Sequence, residues 1–344
     1  MRRTRFLFPA LTIVTLLGSA CVTRVSVNEV LKTVEPVSTD ALIARINDYG
    51  QVKTFSAAVE NIWFLNYFTG EGTKADKYPA TAGEIRFQRP ENTRMRVTFI
   101  GKRLSDMVSD GENFKLAVYW PQDKRRFIHG SNLKDLDRMD LEEIRSAKDP
   151  RLTQAGGLIN LRPQHITDSF LIKPVSETDR ANVFREELRQ VERRAAGKKD
   201  LVERTYYIVY VLDRDEKGQA KLRRKFWFDR TQNGTPLVRQ QTFENGEGRL
   251  ASDVSYSDWF SAKDSTTKLP GRVVIDRRAD GYRLELELDK TSVVVNGELP
   301  ITTFALENAE HLEDLDLDKP QKAEATQKPA TTTSANRNAN RPHR

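Results

Sequence analysis

Histidine and carboxylate side chains are the groups of this chain that could bind a metal or transfer a proton. The four histidines stand far apart in the sequence, at His129, His165, His311 and His343. None has the close spacing typical of a zinc site. Asp106, Asp110 and Glu112 could form a catalytic carboxylate cluster, but Asp110-Gly111 is also a typical hairpin turn. The turn is the simpler interpretation, so the sequence predicts no enzyme activity, no metal site and no cofactor.

Cys21 is the single cysteine, so no disulfide can form within the chain. Three arginines, an apolar run over residues 6–17 and the small residues Gly18-Ser19-Ala20 come before it. The run is shorter than the ~20 apolar residues that span a bilayer. A basic start, a short apolar stretch and small residues are typical of a signal peptide, which we expect over residues 1–20.

The stretch Leu16-Leu17-Gly18-Ser19-Ala20-Cys21 resembles a bacterial lipobox, in which the cysteine receives a diacylglycerol and the chain is cut before it. The resemblance implies a lipidated N-terminus and linker over 21–37. The usual pattern has Leu where Gly18 stands here, and residues 18–20 also suit ordinary signal peptidase, which would leave a soluble protein with a free thiol. Val22 after the cysteine favours the outer membrane, by similarity to enterobacterial lipoproteins. We therefore expect a lipid-anchored envelope protein, on the periplasmic face of the outer membrane.

The formal net charge of +7 is concentrated at the two ends of the chain. Arg2, Arg3 and Arg5 lie in the predicted signal peptide, and the segment from Lys319 onwards is rich in Lys and Arg. Between these ends the basic and acidic residues nearly balance. A folded part without excess positive charge does not favour binding to nucleic acid.

The pattern of residues 38–130 predicts one helix followed by a run of strands. Ser38 or Thr39 can cap a helix that Gly50 ends. From Lys53 the apolar residues alternate with polar ones, which is typical of half-buried strands. Turn pairs such as Asp110-Gly111 and Asn233-Gly234 separate short strands both here and over 205–295, so an antiparallel sheet of about 12 to 13 strands is expected.

The middle and the end of the chain have different patterns. We predict a helical insertion over 131–204, with Leu133–Ala147 and Asp179–Ala196 as helices, because apolar residues recur there at helical spacing. Phe184, Leu188 and Val191 would form the apolar stripe of the second helix. The tail 319–344 lacks large apolar residues and is predicted to be disordered.

Four segments carry a family resemblance when read in order: Gly83–Pro90 with its Arg89-Pro90 ending, Thr93–Val97, Met107–Gly111 and Phe114–Pro121. Together they resemble the outer-membrane lipoprotein carrier and receptor family, LolA and LolB. The match covers about 38–130, within a predicted β domain over 38–318. This chain is well over a hundred residues longer than the carriers are expected to be, and the insertion 131–204 has no counterpart.

The resemblance implies a strongly curved antiparallel incomplete barrel with helices covering its concave face. A hydrophobic cavity under the helices would accept acyl chains or lipoproteins. In the carriers, the Arg of Arg-Pro bonds to lid carbonyls and keeps the empty form closed, which assigns Arg89 that role. In the receptor, an exposed apolar loop residue helps to accept cargo. The cavity candidates are Phe55, Trp63, Phe87, Met95, Val97, Phe99, Met107, Phe114, Leu116 and Tyr119; the lid-helix candidates are Phe184, Leu188 and Val191.

Two functions remain open on these residues. The first is lipid or lipoprotein transport or outer-membrane insertion, by a chain whose partners are the membrane, through its anchor, and acyl cargo. The second is a structural or sensory envelope lipoprotein on the same fold, with a filled interior and an envelope protein as partner. Most of the cavity candidates could equally be ordinary core residues, because alternating apolar residues occur in every half-buried sheet.

Overall fold

The computed structural model describes residues 27–67, 76–77, 81–132, 161–180, 182–194, 199–244, 248–263, 265 and 267–318. The predicted signal peptide, Cys21, the predicted helix Leu133–Ala147 and the tail 319–344 lie outside these residues. Among the described helices, none combines the length and the apolar character needed to cross a membrane.

Strands make up most of the described chain, and three helices accompany them. The helices are α1 (Thr39–Asp48), α2 (Pro163–Phe170) and α3 (Glu177–Arg180). The strands of the first half are β1 (Glu29–Val30), β2 (Thr54–Asn66), β3 (Asp76–Lys77), β4 (Thr81–Gln88), β5 (Asn92–Phe99), β6 (Lys102–Ser109), β7 (Asn113–Val118) and β8 (Arg126–Ser131). Those of the second half are β9 (Val183–Arg193), β10 (Leu201–Arg214), β11 (Ala220–Asp229), β12 (Leu237–Phe243), β13 (Leu250–Ser261), β14 (Lys268–Arg277), β15 (Tyr282–Leu288), β16 (Val294–Val295) and β17 (Asp314–Asp316).

All these strands belong to one large, curved sheet. The long strands follow the order β9-β10-β11-β12-β13-β14-β15-β2-β4-β5-β6-β7-β8, and every neighbouring pair is antiparallel. The β15–β2 pairing joins the two halves of the chain. β17 adds to β8 in parallel. Within the described residues no pairing connects β9 with β8 or β17, so the predicted open, incomplete barrel is confirmed.

The predicted helix Asp179–Ala196 is wrong, because residues 183–193 form the edge strand β9. All eleven residues of β9 pair with β10. Phe184 and Leu188 lie opposite Tyr210 and Tyr206 on the convex face, whereas Val191 lies on the other face. A spacing of four residues puts two side chains on one face of a strand as well as of a helix, so this stripe could not distinguish them. Phe184, Leu188 and Val191 therefore do not form a lid helix.

The prediction of a helical insertion over 131–204 is also wrong in its C-terminal part, which consists of strands. Residues 183–193 and those from Leu201 onwards belong to the sheet, and α2 is the helix of this region that buries side chains, whereas α3 has no buried residue. Pro163 occupies the first turn of α2, where its missing N–H has no cost. Ile166 of α2 is fully buried. The helical cover is thus shorter than predicted.

The segment after β16 packs on the convex face of the first half. Leu306 and Leu312 form a small apolar cluster with Val108, Ala117 and Phe127, which is separate from the main core. Beside it, Asp106 is fully buried and accepts two hydrogen bonds from Arg94, whose Nη1 also donates to Thr303 O at 2.8 Å. This ion pair fixes the C-terminal segment to the sheet.

Asp106→Ala is expected to lower the free energy of unfolding by about 3 kcal/mol, because it leaves Arg94 inside without its carboxylate. Glu310→Ala is a matched control, since Glu310 pairs with Arg103 and Arg125 at the surface. Its loss should cost under ~1 kcal/mol. Urea unfolding of the two variants measures the difference, and equal losses would contradict the structural role of Asp106.

Candidate functional site

The concave face of the sheet is covered by α1 and α2. Ser38 caps α1 by accepting a hydrogen bond from Ala41 N at 3.2 Å, and the helix buries Leu42, Ile43 and Ile46 against the sheet. On α2, Phe170 packs on Phe55 and Phe87, with ring centroids 5.8 and 5.1 Å apart. The two helices therefore fill the centre of the curved sheet with apolar side chains.

Most of the predicted cavity residues lie on this concave face. Six of them are buried in the main core: Phe55, Phe87, Met95, Met107, Phe114 and Leu116. Val97 is half-buried and packs against the same core. In this closed arrangement they pack with one another and with the covering helices. Their role as cavity walls remains a prediction, because it requires the cover to move.

Trp63 and Tyr119 do not lie on the concave face. A register shift between Val59 and Ile62 reverses the alternation of β2, so Trp63 lies opposite Glu285 and shares its convex face. Tyr119 packs on the convex apolar cluster, under the guanidinium of Arg103. These two assignments to the cavity are wrong. Phe99 lies at the end of β5, 44% exposed and outside the packed core, and its assignment stays a prediction.

The residues 171–175 between α2 and α3, which we call the strap, cross the concave side. The side chains of Leu171, Ile172 and Val175 are buried in the core. The strap is neither helix nor strand, so its carbonyls accept hydrogen bonds from side chains. A strap held in this way can leave the core without breaking any strand pairing.

Arg89 binds the strap and the end of α1 together. Its Nη1 and Nη2 donate to Leu171 O at 3.4 Å and Ile172 O at 3.1 Å. Its Nη2 and Nε also donate to Tyr49 O at 3.0 Å and Val52 O at 2.8 Å. Burial lowers the pKa of Arg89, but an arginine remains charged at neutral pH. The geometry is the one that the family resemblance implies for this residue; its role in closing a lid stays a prediction.

A groove of about 840 Å³ opens beside this cover, between the end of α1 and strands β11–β13. Polar and charged residues of α1 and of the strand ends form about half of its wall, and the apolar and aromatic side chains of the rest include Tyr49, Phe228, Leu237, Tyr256 and Trp259. Its volume is within the range of small-molecule sites. Tyr256 Oη donates to Ser169 O at 2.9 Å, so the groove borders the last turn of α2.

The backbone is strained at two positions that line the groove. Thr235 has φ +44° and Asp258 has φ +62°, values that side chains other than glycine rarely adopt. Arg45 of α1 holds the first by donating to Gly234 O at 2.7 Å and to Thr235 O at 3.0 Å. Asp258 faces Gly271 in the β13–β14 ladder, where a Cβ added to Gly271 would come within 2.7 Å of Asp258 O. Such strain often marks a functional site.

The groove residues were not recognised in the sequence. Trp259 follows polar residues at the end of β13, and the positive φ of Asp258 has no clear sequence signal. Asn233-Gly234 was recognised as a turn but not as part of a site. Ile100, with φ +47° and 86% exposed at the β5–β6 turn, was also missed. It lies next to Phe99, which is also exposed.

No protein-family model matches the sequence, and no curated protein is detectably similar to it. Solved structures with a similar chain path include a DUF1329 family protein from Desulfovibrio piger, at 12% identity and TM-score 0.38, covering 77% of this chain and 94% of that one. A domain from Vibrio parahaemolyticus described as an outer membrane lipoprotein-sorting protein has 9% identity and TM-score 0.36, covering 76% and 94%. MucB in complex with MucA(peri) has 10% identity and TM-score 0.17, covering 74% and 98%. No residue role is transferred from these structures.

Proposed function

We propose that this protein is a lipid-anchored envelope protein that binds acyl chains, of lipids or of lipoproteins, on the concave face of its sheet. The acyl chain would enter through the groove and replace the side chains of the strap in the core. An acyl chain would occupy the space of Leu171, Ile172 and Val175, so apolar burial lost on opening is regained on binding. The protein would then serve lipid or lipoprotein transport or outer-membrane insertion.

One observation carries this proposal: the backbone of the strap is held by side chains that bind its carbonyls, and no strand pairing holds it. A hydrogen bond from a charged group contributes only about 1.5–3 kcal/mol net. The apolar side chains Leu171, Ile172 and Val175 add burial that an acyl chain in the same space would replace. Opening the strap should therefore cost less than unfolding the domain, as in other proteins where a local unit opens alone.

Trp259→Ala is expected to weaken binding of a fluorescent fatty acid about tenfold, because it removes an aromatic wall of the groove. Trp63→Ala is the matched control: Trp63 is also half-buried, but it lies on the convex face. Titration of the probe in detergent-free buffer gives both dissociation constants. Wild-type protein that takes up no probe would contradict the proposal. Equal effects of the two variants would show that the groove is not the entry site.

A second candidate function is a structural or sensory lipoprotein that binds an envelope protein. The filled concave face in the closed arrangement favours it. So do three large apolar side chains exposed at one end of strands β5–β7: Phe99, Ile100 and Trp120, the last two 86% and 61% exposed. In this function the apolar end would contact the partner, whereas in the first it would contact cargo or lipid. Loss of partner capture without loss of probe binding in an Ile100→Asp variant would favour the second function.

A further inference from the structure

The strap is bound from two opposite sides of the sheet. Arg224 of β11 donates from Nη1 to Lys173 O at 2.5 Å and from Nη2 to Pro174 O at 3.3 Å. Arg89 binds the two preceding carbonyls, as described above. The side chain of Asn47 on α1 binds the backbone of Val175 twice. Val175 N donates to Asn47 Oδ1 at 2.8 Å, and Asn47 Nδ2 donates to Val175 O at 3.1 Å. Five consecutive carbonyls are thus held by three side chains.

Arg89 and Arg224 lie far apart in the sheet. Arg89 directly follows β4, and strands β2, β15, β14, β13 and β12 lie between β4 and β11. The strap therefore connects the two walls of the curved sheet across its open side. Lys173 adds a bond to the first wall, since its Nζ lies 3.2 Å from a carboxylate oxygen of Glu91.

Among the described residues, the hydrogen bonds of Arg224 go to the strap, and its guanidinium also lies over the ring of Phe226. Arg224 is 7% exposed, and burial lowers its pKa to about 10, which leaves it protonated at neutral pH. Its Nε has no hydrogen-bond partner among the described residues. Burying a guanidinium with an unsatisfied donor costs free energy, which its remaining hydrogen bonds must offset. Here those bonds go to the strap.

We infer that Arg224 is a second latch, and that the strap, bound at both ends, sets the width of the concave interior. This inference rests on the proposed function, because it names how access to that site is regulated. Release at either arginine frees half of the strap and lets the two walls separate. Entry of an acyl chain then requires the loss of both pairs of carbonyl bonds.

Spin labels on the two walls test this directly. In the full chain carrying Cys21→Ser, we would place one label at Lys115→Cys on β7 and one at Ala220→Cys on β11, both exposed positions. Arg224→Ala should broaden the measured distance distribution and shift it to longer values. It should also raise the association rate of a fluorescent fatty acid about tenfold or more, because it removes two hydrogen bonds from a charged group.

Arg223→Ala is the matched control, since the neighbouring Arg223 is exposed and pairs with Asp213. It should leave both the distance and the rate unchanged. If Arg224→Ala does not fold, Arg224→Lys gives the same test, because an ammonium lacks the fork that reaches two carbonyls. A folded Arg224 variant with the wild-type distance distribution overturns the inference. Wild-type protein without probe uptake would refute the proposed function, while the distances would still decide the role of Arg224.

Discussion

Arg89→Ala is expected to raise the association rate of a fluorescent fatty acid about tenfold or more and to lower the free energy of unfolding by about 2–3 kcal/mol. The variant removes four donor contacts, which connect the strap with the end of α1. Hydrogen bonds from a charged group contribute about 1.5–3 kcal/mol net, and some of the freed carbonyls regain water. Stopped-flow mixing measures the rate, and urea unfolding measures the stability.

Arg86→Ala is the control for this variant, because Arg86 is on β4, three residues before Arg89, and pairs with Glu84 at the partly exposed surface. It should change neither quantity by more than a small amount. Arg89→Lys should give an intermediate rate, since one ammonium cannot replace the planar guanidinium. An Arg89→Ala protein that is less stable but binds the probe at the wild-type rate would show that Arg89 only supports the fold.

Cys21→Ser is expected to move the protein from the membrane fraction to the soluble fraction. The proposed anchor holds through acyl chains on this one sulfur, and each buried CH₂ contributes about 0.8 kcal/mol to membrane binding. Several acyl chains on one residue anchor a protein firmly, so without them nearly all of the protein should leave the membrane fraction. Fractionation of cells that express each form, with mass spectrometry of the mature N-terminal peptide, measures the result.

Thr23→Ser is the control for this variant, because it changes a nearby residue without touching the sulfur. It should stay in the membrane fraction. The alternative processing by ordinary signal peptidase makes the opposite prediction for the wild type. Wild-type protein that is soluble and has a Cys21 thiol reactive towards maleimide would contradict the anchor.

The strands of this fold follow from local alternation, and most of them could be predicted. β12 (Leu237–Phe243) and β15 (Tyr282–Leu288), for example, lie within 205–295, where short strands were predicted. Residues opposite each other must share a face, so a regular alternation defines both the strand and its buried side. The bulge in β2 broke this rule at Trp63, because an inserted residue reverses every side chain after it and has no fixed sequence signature.

Long-range packing decided the elements that the sequence did not reveal. The Glu- and Arg-rich segment 183–193 favours a helix by local preference, but β10 offers it a full-length partner, and charged residues suit an edge strand. The strap has no local pattern at all. Its conformation depends on Arg89 and Arg224, which are distant in sequence, and only the first belongs to a recognisable motif. The groove likewise forms from separate strands.

Native mass spectrometry of the detergent-free full chain carrying Cys21→Ser, isolated after expression in an envelope-containing host, tests the central claim most directly. The substitution removes covalent lipid, so any added mass belongs to bound cargo. We predict a bound species with the mass of an acyl lipid or lipoprotein, which is reduced by Trp259→Ala and retained by Trp63→Ala. A protein that carries no lipid and takes up no fatty-acid probe would contradict the account.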